Sequence, residues 1–357
     1  MHLCRVQCRQ FRCLDAADFA PGAGINIIRG GNAQGKTSVL EAILVAATTK
    51  SHRTNTDADL AQHGAGQFHV YLDAARHDRE VALEAHWWQG AKRFKVNGVA
   101  QTRLSDILGK LNVVFFCPED VELVRGGAGV RRRFLDMELS QISAGYLAAL
   151  QQYRQALRQR NELLRVPKRE PALFEVWDAQ LVEQGGLLMR ERRAFIAELS
   201  ALAGEAYARI SGAESLALAY APDADGAEAL QYALDRALDT DARRGLTSRG
   251  PHRDEVRVLV GGKPARQFAS QGQQKTAALA IKLAEVTLVQ RHTGEYPVLM
   301  LDEVLAELDA ARAQRLFEAA GPEVQTIVTT TELEHRPGRF GAEGTEFRIE
   351  QGKITPA

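Results

Sequence analysis

The sequence lacks an excess of charge of either sign. Lysine plus arginine and aspartate plus glutamate each number 45 among the 357 residues, so the formal net charge is zero. This balance excludes a uniformly basic coat that binds nucleic acid through total charge, although it leaves room for a local basic face. The length is enough for about two domains with a substantial core.

Long apolar runs are also lacking. No stretch approaches the roughly 18 apolar residues of a membrane span, and the N-terminus has no apolar region of the kind found in signal peptides. These absences predict a cytoplasmic protein with no membrane partner.

Cysteine is scarce, with only four in the chain. Cys4, Cys8 and Cys13 fall in the first strand-like segment, and Cys117 stands alone. None has a histidine or cysteine partner at zinc spacing. We interpret them as small apolar packing residues in a protein of the reducing cytoplasm.

A phosphate-binding loop is present near the start. The segment from Gly30 to Thr37 fits G-x-x-x-x-G-K-[ST], between a strand-like Ile25–Ile28 and a helix-like 38–44. Such a loop points backbone N–H groups at a phosphate, and Lys36 would bridge the β- and γ-phosphates of ATP while the Thr37 hydroxyl ligates Mg²⁺. A chance glycine-rich turn is the alternative, which the flanking strand and helix disfavour. The residues predicted to bind the nucleotide here are Gly30, Gly31, Asn32, Ala33, Gln34, Gly35, Lys36, Thr37 and Ser38.

Two acids end an apolar strand near the other end of the chain. Asp302 and Glu303 follow the run 298–301. We expect Asp302 to hold Mg²⁺ and Glu303 to orient or deprotonate the attacking water, which makes Lys36, Asp302 and Glu303 the predicted catalytic residues. Solvated acids at an ordinary strand end are the alternative.

A polar segment, 270–275, opens a helix just before that strand. Ser270, Gly272 and Gln273 can grip a γ-phosphate through a helix N-terminus. A simple N-cap explains the segment on its own. Together with the other motifs it favours a signature sequence that reaches the ATP of a second subunit.

The chain between these motifs changes character. From about Arg131 to Ala208 it has helical periodicity, with helices predicted from Tyr146 to Leu164 and from Phe174 to Ala208. The predicted fold is therefore an α/β ATPase head, 1–125 and 245–357, with an inserted and mainly helical lobe, 126–244. The α-helical hairpin is too short for the long arm of a structural tether.

Three consecutive arginines open the lobe. Arg131, Arg132 and Arg133 are either a solvated charge run or a contact to DNA phosphates. The segment 249–254 is dense in glycine, proline and charged residues, and it is either a surface turn or part of a site.

The assembled motifs resemble the RecF family, bacterial recombination mediators among the ABC/SMC-like ATPases. The resemblance rests on the phosphate loop, the segments 51–53, 118–120 and 131–136, Gly250-Pro251-His252-Arg253-Asp254, Ser270-Gln271-Gly272-Gln273-Gln274, Leu301 to Asp309, and Thr329-Thr330-Thr331-Glu332. It implies an ABC-type head and a dimer closed around ATP. It also implies binding to single- and double-stranded DNA at gaps, loading of RecA with RecO and RecR, a link to the SOS response, and a slow DNA-stimulated ATPase.

The sequence departs from related proteins at three places, and the first is the signature, which begins Ala269-Ser270-Gln271 where relatives often have Ser-Ser-Gly or similar. Glu303 stands where many family members have aspartate, and no histidine ends the strand 326–330, although His335 follows shortly after. A transporter nucleotide-binding subunit is the rival class, which the missing switch histidine and the inserted lobe disfavour.

Overall fold

The computed structural model describes residues 1–77, 79–166, 171–211, 214–307, 310–331 and 344–357. It divides into two compact units. Unit 1 comprises Met1–Asp120, Arg209–Gly212 and Leu279–Ala357, and unit 2 comprises Val121–Ala208 and Ala213–Ala278. Unit 2 thus includes residues 245–278, which the sequence analysis assigned to the head.

The described strands and helices have the following bounds. The strands are β1 (His2–Phe11), β2 (Leu14–Phe19), β3 (Ile25–Arg29), β4 (Gln67–Arg76), β5 (Arg79–Trp88), β6 (Ala91–Val96), β7 (Val99–Gln101), β8 (Val113–Phe116), β9 (Leu216–Ala221), β10 (Glu255–Val260), β11 (Lys263–Pro264), β12 (Val298–Asp302), β13 (Thr326–Thr330), β14 (Thr345–Glu350) and β15 (Lys353–Pro356). The helices are α1 (Lys36–Thr48), α2 (Glu122–Arg125), α3 (Ala128–Ile142), α4 (Ala144–Arg165), α5 (Pro171–Ser211), α6 (Ala227–Arg244), α7 (Ala265–Phe268), α8 (Gln271–Thr293) and α9 (Ala310–Ala320).

One sheet of unit 1 joins the two ends of the chain. Its order is β15-β14-β3-β13-β12-β8, and all neighbours pair in parallel except β14 and β15. Every residue of β12 and β13 is buried, as expected for central strands covered on both faces. Because parallel strands end at one edge, the loop after β3 and the acids of β12 meet there. The predicted reassembly of the head from distant segments is confirmed.

The second sheet of unit 1 is antiparallel, in the order β2-β1-β4-β5-β6-β7. A shift of register between Leu3 and Arg5 interrupts the alternation of β1, so Cys4 is exposed while Val6 and Cys8 are buried. Cys13 is also exposed. The interpretation of all four cysteines as packing residues is therefore wrong for Cys4 and Cys13. Among the described residues, no group of three or more histidine, cysteine or acidic side chains is arranged to hold a metal.

Unit 2 is mainly helical, with a small antiparallel sheet in the order β11-β10-β9. Helix α5 has 41 residues and continues through Gly185 and Gly186. A Cβ atom at Gly185 would lie 2.7 Å from Leu230 Cδ2, so this glycine permits close packing of α5 against α6. The sequence analysis did not predict β9 or α6, whose segments lie between the long helices and the return of the strand pattern.

No helix in the described part of the chain is both long enough and apolar enough to cross a membrane.

Candidate nucleotide-binding site

The phosphate loop runs from β3 into α1 with the backbone that its glycines allow. Gly35 has a φ of 109° and precedes Lys36, the first residue of α1, whose N-terminus has no side-chain cap. A Cβ atom at Gly30 would lie 2.4 Å from the Ile349 carbonyl oxygen. The uncapped N–H groups of α1 are thus available to a phosphate, and a side chain is excluded at position 30.

Lys36 is only 4% exposed, and oxygen atoms surround its ammonium group. Nζ donates to the carbonyl oxygens of Gly30 at 2.7 Å and Gly31 at 2.8 Å. It also lies 2.9 Å from Glu303 Oε1, with which it forms an ion pair. Lys36, which the sequence predicts to bind the phosphates, is therefore in direct contact with Glu303, which the sequence predicts to act on the attacking water.

Asp302 lies beside Thr37, 265 positions away in the sequence. The Thr37 hydroxyl donates to Asp302 Oδ1 at 3.1 Å, and the Thr329 hydroxyl donates to the same oxygen at 2.6 Å. Burial raises the pKa of Asp302, and nearby Glu303 raises it further, while the two hydroxyl hydrogen bonds act in the opposite direction. The site thus holds a carboxyl group that a bound cation would stabilise in its ionised form.

The oxygen atoms of Thr37 and Asp302 suit Mg²⁺, which is commonly held by one or two protein oxygens together with substrate phosphates. The described residues contain no larger carboxylate cluster that would compete for such an ion. The donor set at this edge of the sheet therefore fits the predicted cofactor.

Thr329 is a site residue that the sequence analysis did not assign. Its hydroxyl oxygen accepts from the Glu303 N–H at 3.0 Å while its proton goes to Asp302. Glu303 has a φ of 54°, a left-handed conformation that is uncommon for a residue other than glycine. Thr329 thus fixes both acids. Only its place at the end of a predicted strand hinted at this role.

The hairpin of β14 and β15 is hydrogen-bonded to the phosphate loop. Gln34 Oε1 accepts from the Gln351 N–H at 2.6 Å, and the Gln34 carbonyl oxygen accepts from the Gly352 N–H at 3.1 Å. A Cβ atom at Gly352 would lie 2.4 Å from the Cys13 carbonyl oxygen. The C-terminal hairpin therefore helps to shape the loop, a contact that no local sequence pattern reveals.

The predicted signature segment lies in unit 2 at the start of α8. Ser270 Oγ accepts from the Gln273 N–H at 3.2 Å, and the Ser270 N–H donates to Gln273 Oε1 at 2.7 Å, which is a capping box. Ser270 and Gly272 are exposed. A simple N-cap accounts for these contacts. Because the helix start is exposed, it is also accessible to the ATP of a second subunit, as the signature interpretation requires.

The three arginines of α3 differ in their surroundings. Arg131 is 7% exposed. Its guanidinium bonds both oxygens of Glu255 at 2.8 Å and the carbonyl oxygens of Leu123 and Gly126. The prediction that Arg131 contacts DNA is corrected on this ground, because its donors are already used inside unit 2.

Arg132 and Arg133 are more accessible. Arg132 is half-buried and donates to the Asp254 carbonyl oxygen at 2.7 Å. Arg133 is exposed. Of the three, Arg133 therefore has the side chain best placed to meet a ligand in solution.

The segment 249–254 packs into unit 2 instead of forming a free surface turn. Asp254 accepts from Arg192 at 2.8 Å and from the Asp223 N–H at 2.9 Å, and Tyr220 donates to it as well. His252 accepts from the Tyr153 hydroxyl at 2.7 Å and donates to the Thr247 carbonyl oxygen at 3.0 Å. This segment is structural in unit 2.

Several positions from the resemblance lie outside the described residues. They are Leu308, Asp309, Glu332 and His335.

The phosphate loop after β3, the acids of β12 and the parallel sheet between them define a P-loop ATPase head of the ABC type. Comparisons with known proteins show to which family within this class the chain belongs. The family model described as the RecF/RecN/SMC N terminal domain matches residues 2–337. The chain is 41% identical over 347 residues to the DNA replication and repair protein RecF of Shouchella clausii (strain KSM-K16), with 93% of each chain covered. The chain belongs to the RecF family.

Solved structures agree with this assignment. A structure of the recombination mediator protein RecF with ATP in the RecFOR pathway aligns with a TM-score of 0.92 at 31% identity, covering 100% of this chain and 97% of that chain. An SMC head bound to the C-winged helix domain of ScpA aligns with a TM-score of 0.59 at 17% identity, so it shares the fold.

Proposed function

We propose that this chain is an ATP-dependent DNA-binding protein of recombinational repair and replication, working as an ATP-gated dimer. The observation that carries the proposal is the meeting of Lys36, Thr37, Asp302 and Glu303 at one edge of the parallel sheet. Membership of the RecF family, whose curated members include DNA replication and repair proteins, supports the DNA-directed role.

The residues at this edge suit slow ATP hydrolysis. Lys36 and the N–H groups of α1 would bind phosphate oxygens, and Thr37 with Asp302 would hold Mg²⁺, which would supply charge neutralisation at the phosphates. Glu303 accepts a proton from water once its carboxylate is released from Lys36. We propose a weak ATPase that DNA stimulates, with hydrolysis acting as a switch.

Dimerisation would complete the site. Ser270, Gly272 and Gln273 of one copy are proposed to contact the ATP of the other, as the exposed start of α8 allows. ATP then favours the closed dimer because it binds that state better, and hydrolysis reopens it.

DNA is the proposed macromolecular ligand, with gaps that join single- and double-stranded segments preferred. Arg133, with a smaller contribution from Arg132, remains a candidate phosphate contact in unit 2. The proposed partners are RecR with RecO and, through them, RecA, in the cytoplasm and with a link to the SOS response. These partners rest on the family and on the RecFOR pathway named for the structural relative.

Replacement of Lys36 tests the proposal. Lys36→Ala should abolish ATP-dependent dimerisation and ATP-dependent DNA binding, because the triphosphate loses its main cation. Sedimentation velocity and fluorescence anisotropy with gapped DNA measure the two effects. Lys353→Ala, at an exposed position of β15, is the matched control and should behave like the wild type. If Lys36→Ala still dimerises and binds DNA with ATP, the gating proposal is wrong.

A further inference from the structure

The outward face of the antiparallel sheet in unit 1 carries a row of basic side chains. The strand register places Arg9 of β1 opposite His69 of β4, His69 opposite His86 of β5, and His86 opposite Arg93 of β6. On each of the strands β4, β5 and β6 a residue next to the row is buried, namely Phe68, Ala85 and Phe94. Since side chains alternate between the two faces of a sheet, these four point outward together. We call them the cationic row after its two arginines.

The cationic row contains no carboxylate. The nearest acids on this face belong to the next row and have partners of their own. Asp18 accepts from Arg5 at 2.8 Å and 2.9 Å and from Gln7 at 2.8 Å. Glu84 accepts from Lys95 at 3.2 Å and lies 3.4 Å from His69. The negative charge beside the row is thus largely compensated.

The two arginines of the cationic row are available to a ligand. Arg9 and Arg93 are both exposed, and among the described residues neither guanidinium has a hydrogen bond or an ion pair. Beside Arg9, an open groove of about 350 Å³ is lined by residues that include Gln7, Gln67 and His86. All of these groups can donate hydrogen bonds to an anion.

The dimensions of the row match duplex DNA. Arg9 and Arg93 are three strand spacings apart, which is roughly 14 Å. The major groove of B-DNA is about 12 Å wide, so two guanidinium groups at this separation can reach phosphates on its two sides. Proteins that bind single strands use successive aromatic side chains for base stacking, and the row itself contains no phenylalanine, tyrosine or tryptophan.

We propose that the cationic row contacts the phosphate backbone of duplex DNA across one groove. The inference rests on the proposed function, because it assigns a surface to a DNA-binding activity that is itself proposed. It places a duplex contact in unit 1, on a different element from the arginines of α3.

The test compares double variants by fluorescence anisotropy with a labelled duplex, in the presence of ATP and across 50–200 mM salt. Arg9→Ala with Arg93→Ala should weaken binding on the order of 10- to 100-fold and reduce the slope of log K against log salt by about 2, as expected for two lost phosphate contacts. Arg9→Lys with Arg93→Lys keeps the charges and should keep most of the slope. The control is Arg79→Ala with Arg348→Ala, which removes the same charge from exposed positions outside the row.

The outcomes separate this inference from the function on which it rests. If the wild type binds neither duplex nor gapped DNA with ATP, both are wrong. If it binds gapped DNA but not duplex DNA, only the cationic row is wrong. If the wild type binds and the Arg9 and Arg93 double variant keeps its affinity and its slope, only the cationic row is wrong. A loss confined to single-stranded DNA, measured in a parallel titration, would also overturn the duplex contact. ATP binding by each variant, measured with a fluorescent analogue, confirms that unit 1 is folded.

Discussion

At the scale of single residues, the contact between Lys36 and Glu303 governs the chemistry that the site can perform. The 2.9 Å ion pair places the carboxylate where a phosphate oxygen would approach Lys36. In the proposed function a phosphate and Glu303 would therefore compete for one ammonium group, and binding of the phosphate would release Glu303 for the attacking water. Lys36 would thus have two roles in the proposed function: it pairs with Glu303 before ATP binds, and it binds the phosphates afterwards.

This competition predicts opposite effects of Glu303→Gln on binding and on turnover. ATP affinity should rise several-fold because a negative charge is removed beside the phosphates, while hydrolysis should fall by roughly 10²- to 10⁴-fold because glutamine cannot accept the proton. Titration with a fluorescent ATP analogue and phosphate release measure the two quantities. Glu350→Gln, at an exposed acid of β14, is the control. Wild-type turnover in Glu303→Gln would exclude Glu303 as the base.

The arginines of α3 give a second prediction at this scale. Arg131→Ala leaves Glu255 without its partner and two buried carbonyl oxygens without a donor. Such a loss costs on the order of 3 kcal/mol, so the thermal transition should fall by several degrees. Arg133→Ala removes the same charge from an exposed position and should stay within about 0.5 kcal/mol of the wild type. Equal transition temperatures in calorimetry would contradict the structural role of Arg131.

At the scale of elements, the segment after Gly250 shows how a motif can be structural. Gly250 has a φ of 124°, and a Cβ atom there would lie 2.6 Å from the Tyr153 hydroxyl. His252 is held between Tyr153 and the Thr247 carbonyl oxygen. Burial lowers the pKa of His252 to about 4. The segment therefore favours a neutral histidine in the folded protein.

The lowered pKa of His252 predicts a loss of stability in mild acid. The unfolded chain takes up a proton near pH 6.5 but the folded chain does so only near pH 4, so stability is full above pH 6.5 and falls as the pH drops toward 4. Between pH 7.5 and pH 5.5 the contribution of His252 to the unfolding free energy should fall by about 1 kcal/mol. His252→Gln should lose this part of the pH dependence in thermal unfolding. An unchanged pH dependence in that variant would contradict the buried neutral histidine.

The elements that the sequence predicted well are those with strong local signals. β3, α1 and β12 follow from a phosphate-loop motif and from apolar runs, and α4 follows from helical periodicity. The contacts that it missed depend on residues far apart in the chain. Thr329 on the acids and Gln351 on Gln34 are of this kind, since each is set by the order of strands in the sheet. The exposure of Cys4 depends on a register shift, which a period of two cannot reveal.

At the scale of the whole molecule, the proposed ATP site takes its residues from two chains. Unit 1 brings Lys36, Thr37, Asp302 and Glu303 together within one chain. Unit 2 presents Ser270 and Gly272 at an exposed helix start, with Gln273 beside them. In a two-fold dimer the same patches meet twice, so two sites would form, each with its phosphate loop from one chain and its signature from the other.

Mixing two inactive variants tests this arrangement most directly. Lys36→Ala disables the phosphate loop, and Ser270→Arg blocks the signature, so each alone should show little DNA-stimulated ATPase. In an equal mixture, mixed dimers hold one intact site, built from the phosphate loop of one chain and the signature of the other. Because that one site still binds ATP, it can hold the mixed dimer closed, and recovery of up to about a quarter of wild-type activity is expected on random pairing. A mixture no more active than the average of its two components, at concentrations where sedimentation shows exchange between dimers, would contradict a site completed by a second chain.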